Sequence, residues 1–436
     1  MTHQDFPQHA DQPDRRSADR PARRLYFDNA ATSFPKPPAV LEAMTRYATE
    51  LGASPGRGAY REARESGAVL TECRRRINRL IGGASAEHVV FTLNTSDALN
   101  LAIRGLVRPG DHVVTTAMDH NSVLRPFNAL VEQLGARQTV VPVDRRTGLV
   151  DPSDVRRAIE PKTRLVAAVH ASNVSGTVQP IGEIGSACRE LAVPLLVDAA
   201  QSIGHIPIDV GAMSIDLLAF PGHKGLLGPL GTGGLYIRPG LEKMMRTCRE
   251  GGTGSVSERD VQPETMPDKF EVGSHNAVGI AGLSEGVAYL LERGIDDVWA
   301  HERSLIELFV QGLSQGDGAA LPGLRVLGPP GVRDRVGVFS VVVDGLDPGR
   351  LSSLLEERYG VLTRSGLHCA PHAHRTFGTH PESRGGGGAA AAGGAAGGGG
   401  STRFSVGVFV TPQDVKYATD ALAELCDEHA RRAIVA

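Results

Sequence analysis

The sequence predicts an α/β fold in two parts: a large domain built on a mostly parallel sheet, and a smaller α+β domain at the C-terminus. Three observations carry this prediction. Short apolar runs alternate with helical stretches from about residue 88 to 240, which is the pattern of strand–helix units in a parallel sheet. The runs are unbroken rather than alternating, so their strands are buried on both faces. After about residue 275 the texture changes to a long helical stretch and a few isolated strand-like runs.

In chain order, residues 1–24 come first. They have no apolar stretch of the secretory kind and carry Asp5, Asp11, Asp14 and Asp19, which argues against a signal or transit peptide. They read as a disordered tail. The large domain follows at 25–275, its first residues free to pack on the small domain. Its strands are expected at 88–92, 112–116, 139–143, 164–169, 194–199, 216–220 and 233–237, with helices at 96–106 and 180–191 between them. The small domain spans 276–436. It begins with a helical stretch at 277–317 interrupted by glycines, then a strand-like run at 335–345, a helix at 351–360 and a second strand-like run at 403–411. Residues 385–400, GGGGAAAAGGAAGGGG, bring almost no side chain to offset the roughly 1–2 kcal/mol per residue that ordering a backbone costs, and a flexible insertion is expected there.

Composition excludes some classes of function. The net charge is −3 with no basic stripe, so nucleic acid is not an expected partner. No run approaches the roughly 18 apolar residues of a membrane-spanning helix. Five widely spaced cysteines without a CxxC pair (Cys73, Cys188, Cys248, Cys369 and Cys426) suit a reducing compartment, and a cytoplasmic location is expected.

Three peptides bear chemistry. In FPGHKGLLGPLGTGG (220–234) Lys224 follows a buried strand inside a glycine-rich turn. The spacing is not that of a P-loop. It reads either as a solvated turn lysine or as an amine held off solvent, whose lowered pKa makes it nucleophilic. In VPLLVDAAQSIGH, Asp198 ends an apolar strand 26 residues before Lys224. Alone it would cap the next helix. Paired with Lys224, it reads as the partner of a pyridinium nitrogen. In TLNTSDALN, Thr95 and Ser96 open a helix, as an N-cap or as an anion site.

Six peptides in register resemble a known family: YFDNAATSFPKP (26–37), MDHNSV (118–123), SNVSGTVQPI (172–181), DAAQ (198–201), GHKGLLGPLGTGGLY (222–236) and RSGLHCAPHAH (364–374). Together they are similar to the class V, fold-type-I pyridoxal-phosphate enzymes, in particular the cysteine desulfurase and selenocysteine lyase group. The resemblance implies pyridoxal 5′-phosphate as cofactor, held covalently by Lys224. Asp198 is then the partner of the ring nitrogen, Gln201 of the phenolic oxygen, and Asn173 a neighbour of that oxygen. His120 stacks on the ring, while Thr95, Ser96 and His223 bind the phosphate. It also implies a homodimer with the site at its interface, across which Thr253 of GGTGS (251–255) contacts phosphate. Arg403, with Arg364, falls where the substrate carboxylate is held. The implied substrate is L-cysteine, whose sulfur passes to Cys369 as a persulfide while alanine leaves; a sulfur-acceptor protein is a further implied partner.

Two features depart from the family pattern. Pro221 stands where relatives usually carry a hydroxyl, which removes a hydroxyl and a backbone N–H from the phosphate's surroundings. Weaker cofactor binding is expected unless another group substitutes. The Gly/Ala insertion lies between Cys369 and Arg403, so a mobile catalytic loop is also expected.

HCAPHAH packs His368, Cys369, His372 and His374 closely. Zinc would need converging ligands, no second cluster supports it, and no metal is expected. A nucleophilic Cys369, its thiolate favoured by His368, His372 or Arg364, is preferred to a merely structural loop. Two alternatives keep the fold but not the reaction. One is a class V aminotransferase or selenocysteine lyase acting on another amino acid. The other is a non-enzymatic sulfur-carrier or metal-binding scaffold.

Overall fold

Thirteen strands and eleven α-helices organise the described residues, which in this computed structural model are 24–56, 58–314, 320–384 and 399–435. The tail expected at 1–24 lies outside them except for Arg24, and the insertion expected at 385–400 except for Gly399 and Gly400. The strands are β1 (Leu25–Tyr26), β2 (Val89–Thr92), β3 (His112–Thr116), β4 (Arg137–Val141), β5 (Thr163–Val169), β6 (Leu195–Asp198), β7 (Leu217–Pro221), β8 (Gly233–Ile237), β9 (Leu324–Val326), β10 (Val338–Val343), β11 (Val361–Leu362), β12 (Arg364–Gly366) and β13 (Ser401–Ser405). The helices are α1 (Pro38–Arg46), α2 (Arg61–Leu80), α3 (Thr95–Leu106), α4 (Asn121–Leu134), α5 (Pro152–Ala158), α6 (Ile181–Glu190), α7 (Ala277–Arg293), α8 (Ile295–Gly312), α9 (Pro348–Tyr359), α10 (Pro371–Thr376) and α11 (Pro412–Val435). None of them is long and apolar enough to cross a membrane.

The larger sheet runs β2-β8-β7-β6-β5-β3-β4. All its pairings are parallel except those of β8, which is antiparallel to both neighbours. Successive strand residues feed opposite cores: Val166 and Ala168 join one apolar cluster, Leu165 and Ala167 the other. This two-sided burial is why the strands read as continuous apolar runs. Because β8 alone is reversed, β2, β3, β5, β6 and β7 all end at the same edge, and ligands of such sheets bind along that edge.

The smaller sheet is antiparallel, β12-β13-β10-β9. β1 pairs in parallel with β11, so the first described strand belongs with the C-terminal part. A stack of Phe309 on Phe339, centroids 4.2 Å apart, lies in a core that also holds Phe27 and Phe404.

Three expected elements shift. The strand expected at 139–143 lies at 137–141, where it pairs His112 with Arg137. It is one of the sheet's two edge strands, so its polar first residues need not be buried, and an apolar pattern misses them. The helical stretch at 277–317 breaks at Gly294, whose φ of 84° no helix accepts, giving α7 and α8. The run at 403–411 is a strand only to Ser405. A Cβ at Gly407 would sit 2.8 Å from the Asn29 side chain, and the chain turns there, with Val410 N–H donating to the Gly407 carbonyl.

Arg335 locks the two sheets together. Its guanidinium is almost wholly buried without a carboxylate partner, and burial lowers its pKa to about 9. It donates to the carbonyls of Ser175, Val338, Leu327 and Pro329. Ser175 belongs to the turn after β5, so this residue holds that turn against β10. Arg335→Ala should leave several buried carbonyls without a donor and destabilise the chain by about 3 kcal/mol or more, whereas the exposed Arg333→Ala should change stability by less than about 0.5 kcal/mol. Urea unfolding of the full chain measures both; similar losses in the two variants would rule this role out.

Candidate active site

The ends of five strands meet around a cavity of about 310 Å³. Asn94, Thr95 and Ser96 follow β2, His120 and Ser122 follow β3, Asn173 follows β5, Asp198 and Gln201 close β6, and His223 and Lys224 follow β7; all of them line it. Sequence reading named eight of these ten, and it missed Asn94 and Ser122.

Lys224 is recessed in this wall. Its pKa falls from the ordinary 10.5 to about 8, chiefly by burial; Asp198 opposes the fall, and Arg403 and Arg364 deepen it. Asp198 is buried and its pKa is raised, again chiefly by burial. One carboxylate oxygen, Oδ1, accepts from the Ala200 N–H at 2.9 Å. β6 and β7 are parallel neighbours in register, which brings acid and amine to one edge.

The peptide that carries the amine is clamped from outside. Lys36 Nζ donates to Ser33 Oγ at 2.7 Å and to the His223 carbonyl at 2.8 Å. Thr32 Oγ1 donates to the same carbonyl, and Ser33 Oγ to that of Lys224. The TSFPK stretch of the resembling peptide is thus a brace for residues 223–224.

His120 caps α4 with its own ring. Nδ1 accepts from the Ser122 N–H at 3.0 Å, so the neutral ring carries its proton on Nε2. Burial, and then Lys224, hold its pKa down at about 4, which keeps it neutral. The residue before it, Asp119, is fully buried and accepts from the backbone of Thr116 and Val169, tying the ends of β3 and β5 together. Its pKa rises to about 7, chiefly through burial.

Arg403 and Arg364 face each other across the β12–β13 ladder. Arg403 is buried, donates to Asp28 Oδ1 at 2.7 Å and to the Asn173 carbonyl at 3.2 Å. Two guanidiniums opposed across a ladder, only one of them paired with a carboxylate, Asp28, leave cationic character for a further anion.

Cys369 sits on a turn of left-handed backbone: φ is 49° at His368 and 57° at Cys369. Non-glycine residues in that region cost about 1–3 kcal/mol each unless the surroundings impose it. Here Asn173 Nδ2 donates to the His368 carbonyl at 2.6 Å, and Asn121 N–H donates to the Cys369 carbonyl at 2.8 Å. The thiol is exposed. It is therefore carried on a turn held at two carbonyls, and the Gly/Ala insertion from which a mobile loop was expected follows α10 and lies, but for Gly399 and Gly400, outside the described residues. His368 and His374 are buried, hydrogen-bonded to Ser401 and Thr379, and burial lowers both pKa values. Among the described residues no three His, Cys, Asp or Glu side chains are grouped to hold a metal ion.

Thr253 lies apart from this cavity in its own chain and bonds Ser255. Pro221 ends β7 opposite Gly233 and is not part of the lining, whereas the Ser122 hydroxyl is, 2.6 Å from Ser96 Oγ.

A family model described as aminotransferase class-V matches residues 25–418. A probable cysteine desulfurase of Methanothermobacter thermautotrophicus is 38 % identical over 82 % of this chain and 87 % of its own length. A cysteine desulfurase of Haloferax volcanii is 34 % identical over 83 % and 84 %. Among solved structures, a cysteine desulfurase from Thermococcus onnurineus superposes with a TM-score of 0.81 at 31 % identity, covering 93 % of this chain and 95 % of that one. One from Escherichia coli gives 0.77 at 26 %, covering 96 % and 99 %.

A small amine-acylating reagent, with modification read residue by residue by mass spectrometry, should modify Lys224 with a pH midpoint near 8. Asp198→Asn removes the charge that raises this pKa, so the midpoint should move lower. A midpoint in the ordinary lysine range, or one unmoved by the substitution, would contradict the electrostatics described.

Proposed function

This chain belongs to the aminotransferase class V family, and on that premise we propose that it is a pyridoxal 5′-phosphate-dependent cysteine desulfurase, which moves the sulfur of L-cysteine to Cys369 and releases L-alanine. The observation that carries the reading is the juxtaposition of a recessed amine, Lys224, facing Asp198, with an exposed thiol, Cys369. The two hollows they line adjoin and share Ser96, His120 and Ser122.

The cavity suits the cofactor. His223 Nδ1 is buried without a hydrogen-bond partner, and the start of α3 adds the positive end of a helix dipole beside Thr95 and Ser96. These residues would hold the phosphate, with the Ser122 hydroxyl standing in for the one that Pro221 lacks. Asp198 would bind the protonated ring nitrogen, Gln201 and Asn173 would attend the phenolic oxygen, and the neutral His120 ring would cover one face. When bound, the cofactor supplies an aldehyde that captures amines and a ring that accepts electrons from the adjacent carbon. Thr253 is assigned to the phosphate of a second copy in a homodimer.

The chain's own groups do the rest. Arg403 and Arg364 hold the substrate carboxylate. Lys224 Nζ, with a pKa near neutrality, both takes and returns a proton at the substrate α-carbon. Cys369 Sγ makes the new S–S bond, the substrate C–S bond breaks, and the carbon ends as the methyl of alanine. The left-handed turn holds the thiol out from the backbone for this attack.

Incubation with L-cysteine and a reductant should give alanine and sulfide in equal amounts. Cys369→Ser should lower both by at least about a hundredfold, and Arg403→Ala should raise KM for L-cysteine more than it lowers kcat. Equal turnover by the Cys369→Ser protein would reject the assignment.

A further inference from the structure

A buried acid–base pair lies behind Lys224 and has no part in the reaction so far. Glu302 of α8 is 1 % exposed within a single chain. It reaches from the C-terminal part to the turns after β6, where both its oxygens accept from His205 Nδ1, at 2.9 and 3.0 Å. The other edge of the ring rests on Gly225, the residue after Lys224: a Cβ there would stand 2.8 Å from His205 Nε2 and Cδ2. Gly204 is pressed on the same peptide, since a Cβ on it would lie 2.3 Å from the Gly225 carbonyl. The imidazole is thus a partition between the Glu302 carboxylate and the peptide that carries the amine. A cavity of about 10 Å³, room for about one water, adjoins the pair and is lined by Gln201 as well, so it touches both the pair and a residue of the cofactor cavity.

These groups are also coupled by charge. Burial pulls the His205 pKa down, Glu302 more than reverses this, and Lys224 is the one further charge felt at the ring, opposing Glu302. Such coupling is reciprocal. A cation on His205 disfavours one on Lys224 as much as Lys224 disfavours it, and Glu302, at the far edge of the ring, works the other way. A buried ion pair holds a fold together little better than apolar side chains of the same volume, so a tether alone gives this pair no reason to be charged. Resting on the reading of Lys224 as the residue that bears the cofactor, we propose that His205 and Glu302 are positioning residues for it: the pair fixes the charge behind the amine and joins α8 to the peptide from which the amine projects.

The test uses the holoenzyme. The link between Lys224 and the cofactor absorbs in the visible, and its colour changes with the proton on the Lys224 nitrogen, so a spectrophotometric titration gives a pH midpoint at that atom. His205→Gln strands the Glu302 anion behind the nitrogen, and the midpoint should rise by about one unit. Adding Glu302→Gln removes that anion as well and should bring the midpoint more than halfway back to the parent value. A tether without electrical effect would lower the melting temperatures and leave all three midpoints equal, which would overturn the proposal; so would a double variant that keeps the whole rise. His205→Gln alone leaves an unpaired buried charge and is the variant that can fail to fold. The double variant against the parent then decides: a rise smaller than about half a unit is expected, and an unmoved midpoint overturns the proposal. If the parent chain loaded with pyridoxal 5′-phosphate shows no visible band that borohydride removes, it is the cofactor reading that fails.

Discussion

An amine and a carboxylate, both withdrawn from water at the same edge of one sheet, set the terms for the site. Burial favours the neutral form of each, and their mutual attraction works against burial. The outcome for Lys224 is a pKa of about 8, close enough to neutrality for the amine to exist in both forms. This balance requires two things: a sheet covered on both faces, so that the strand ends are dry, and adjacent parallel strands in register, so that Asp198 and Lys224 arrive at one edge. The double burial of β5, β6 and β7 meets the first requirement and the pairing of β6 with β7 the second.

Around this pair, the chain spends much of its polar inventory on holding backbone. Lys36, Ser33 and Thr32 grip the peptide of residues 223–224, and Asp119 grips the ends of two strands. Arg335 grips the turn after β5. Asn173, in that same turn, reaches the Cys369 turn through the His368 carbonyl and receives Arg403 on its own carbonyl. The second sheet is thereby coupled to the first at the point where Cys369, Arg403 and the cavity lined by Lys224 meet. Few of these contacts touch a reacting atom, yet reacting groups must be held within fractions of an ångström to be productive.

Much of the fold was legible because two-sided burial writes itself into sequence as uninterrupted apolar runs. The strands of the larger sheet stood out for that reason; of the helices between them α3 and α6 were read, while α4 and α5 were not. What misled was polarity at margins. The edge strand β4 begins with Arg137 and Gln138, and β13 ends at Ser405 although apolar residues continue, because Gly407 meets Asn29. Most of the cavity lining was also legible, as motif residues in consistent order. Ser122 and Asn94 were not, since a serine and an asparagine at helix starts look like ordinary caps, and Asn94 is indeed one.

By itself the sequence determined the chemistry available: a lysine after a buried strand, an aspartate at the end of another, a thiol among histidines, and an order of peptides shared with a family. Side-chain type and strand burial are local properties, and local properties survive in a linear string. Only the tertiary structure decided how those groups are tuned and presented. It set the direction and size of each pKa shift, the Nε2 tautomer of His120 and the opposition of Arg364 to Arg403. It also set the pinned left-handed turn of Cys369. Each depends on distances between residues far apart in the chain, and on how much water remains between them, which no local pattern encodes.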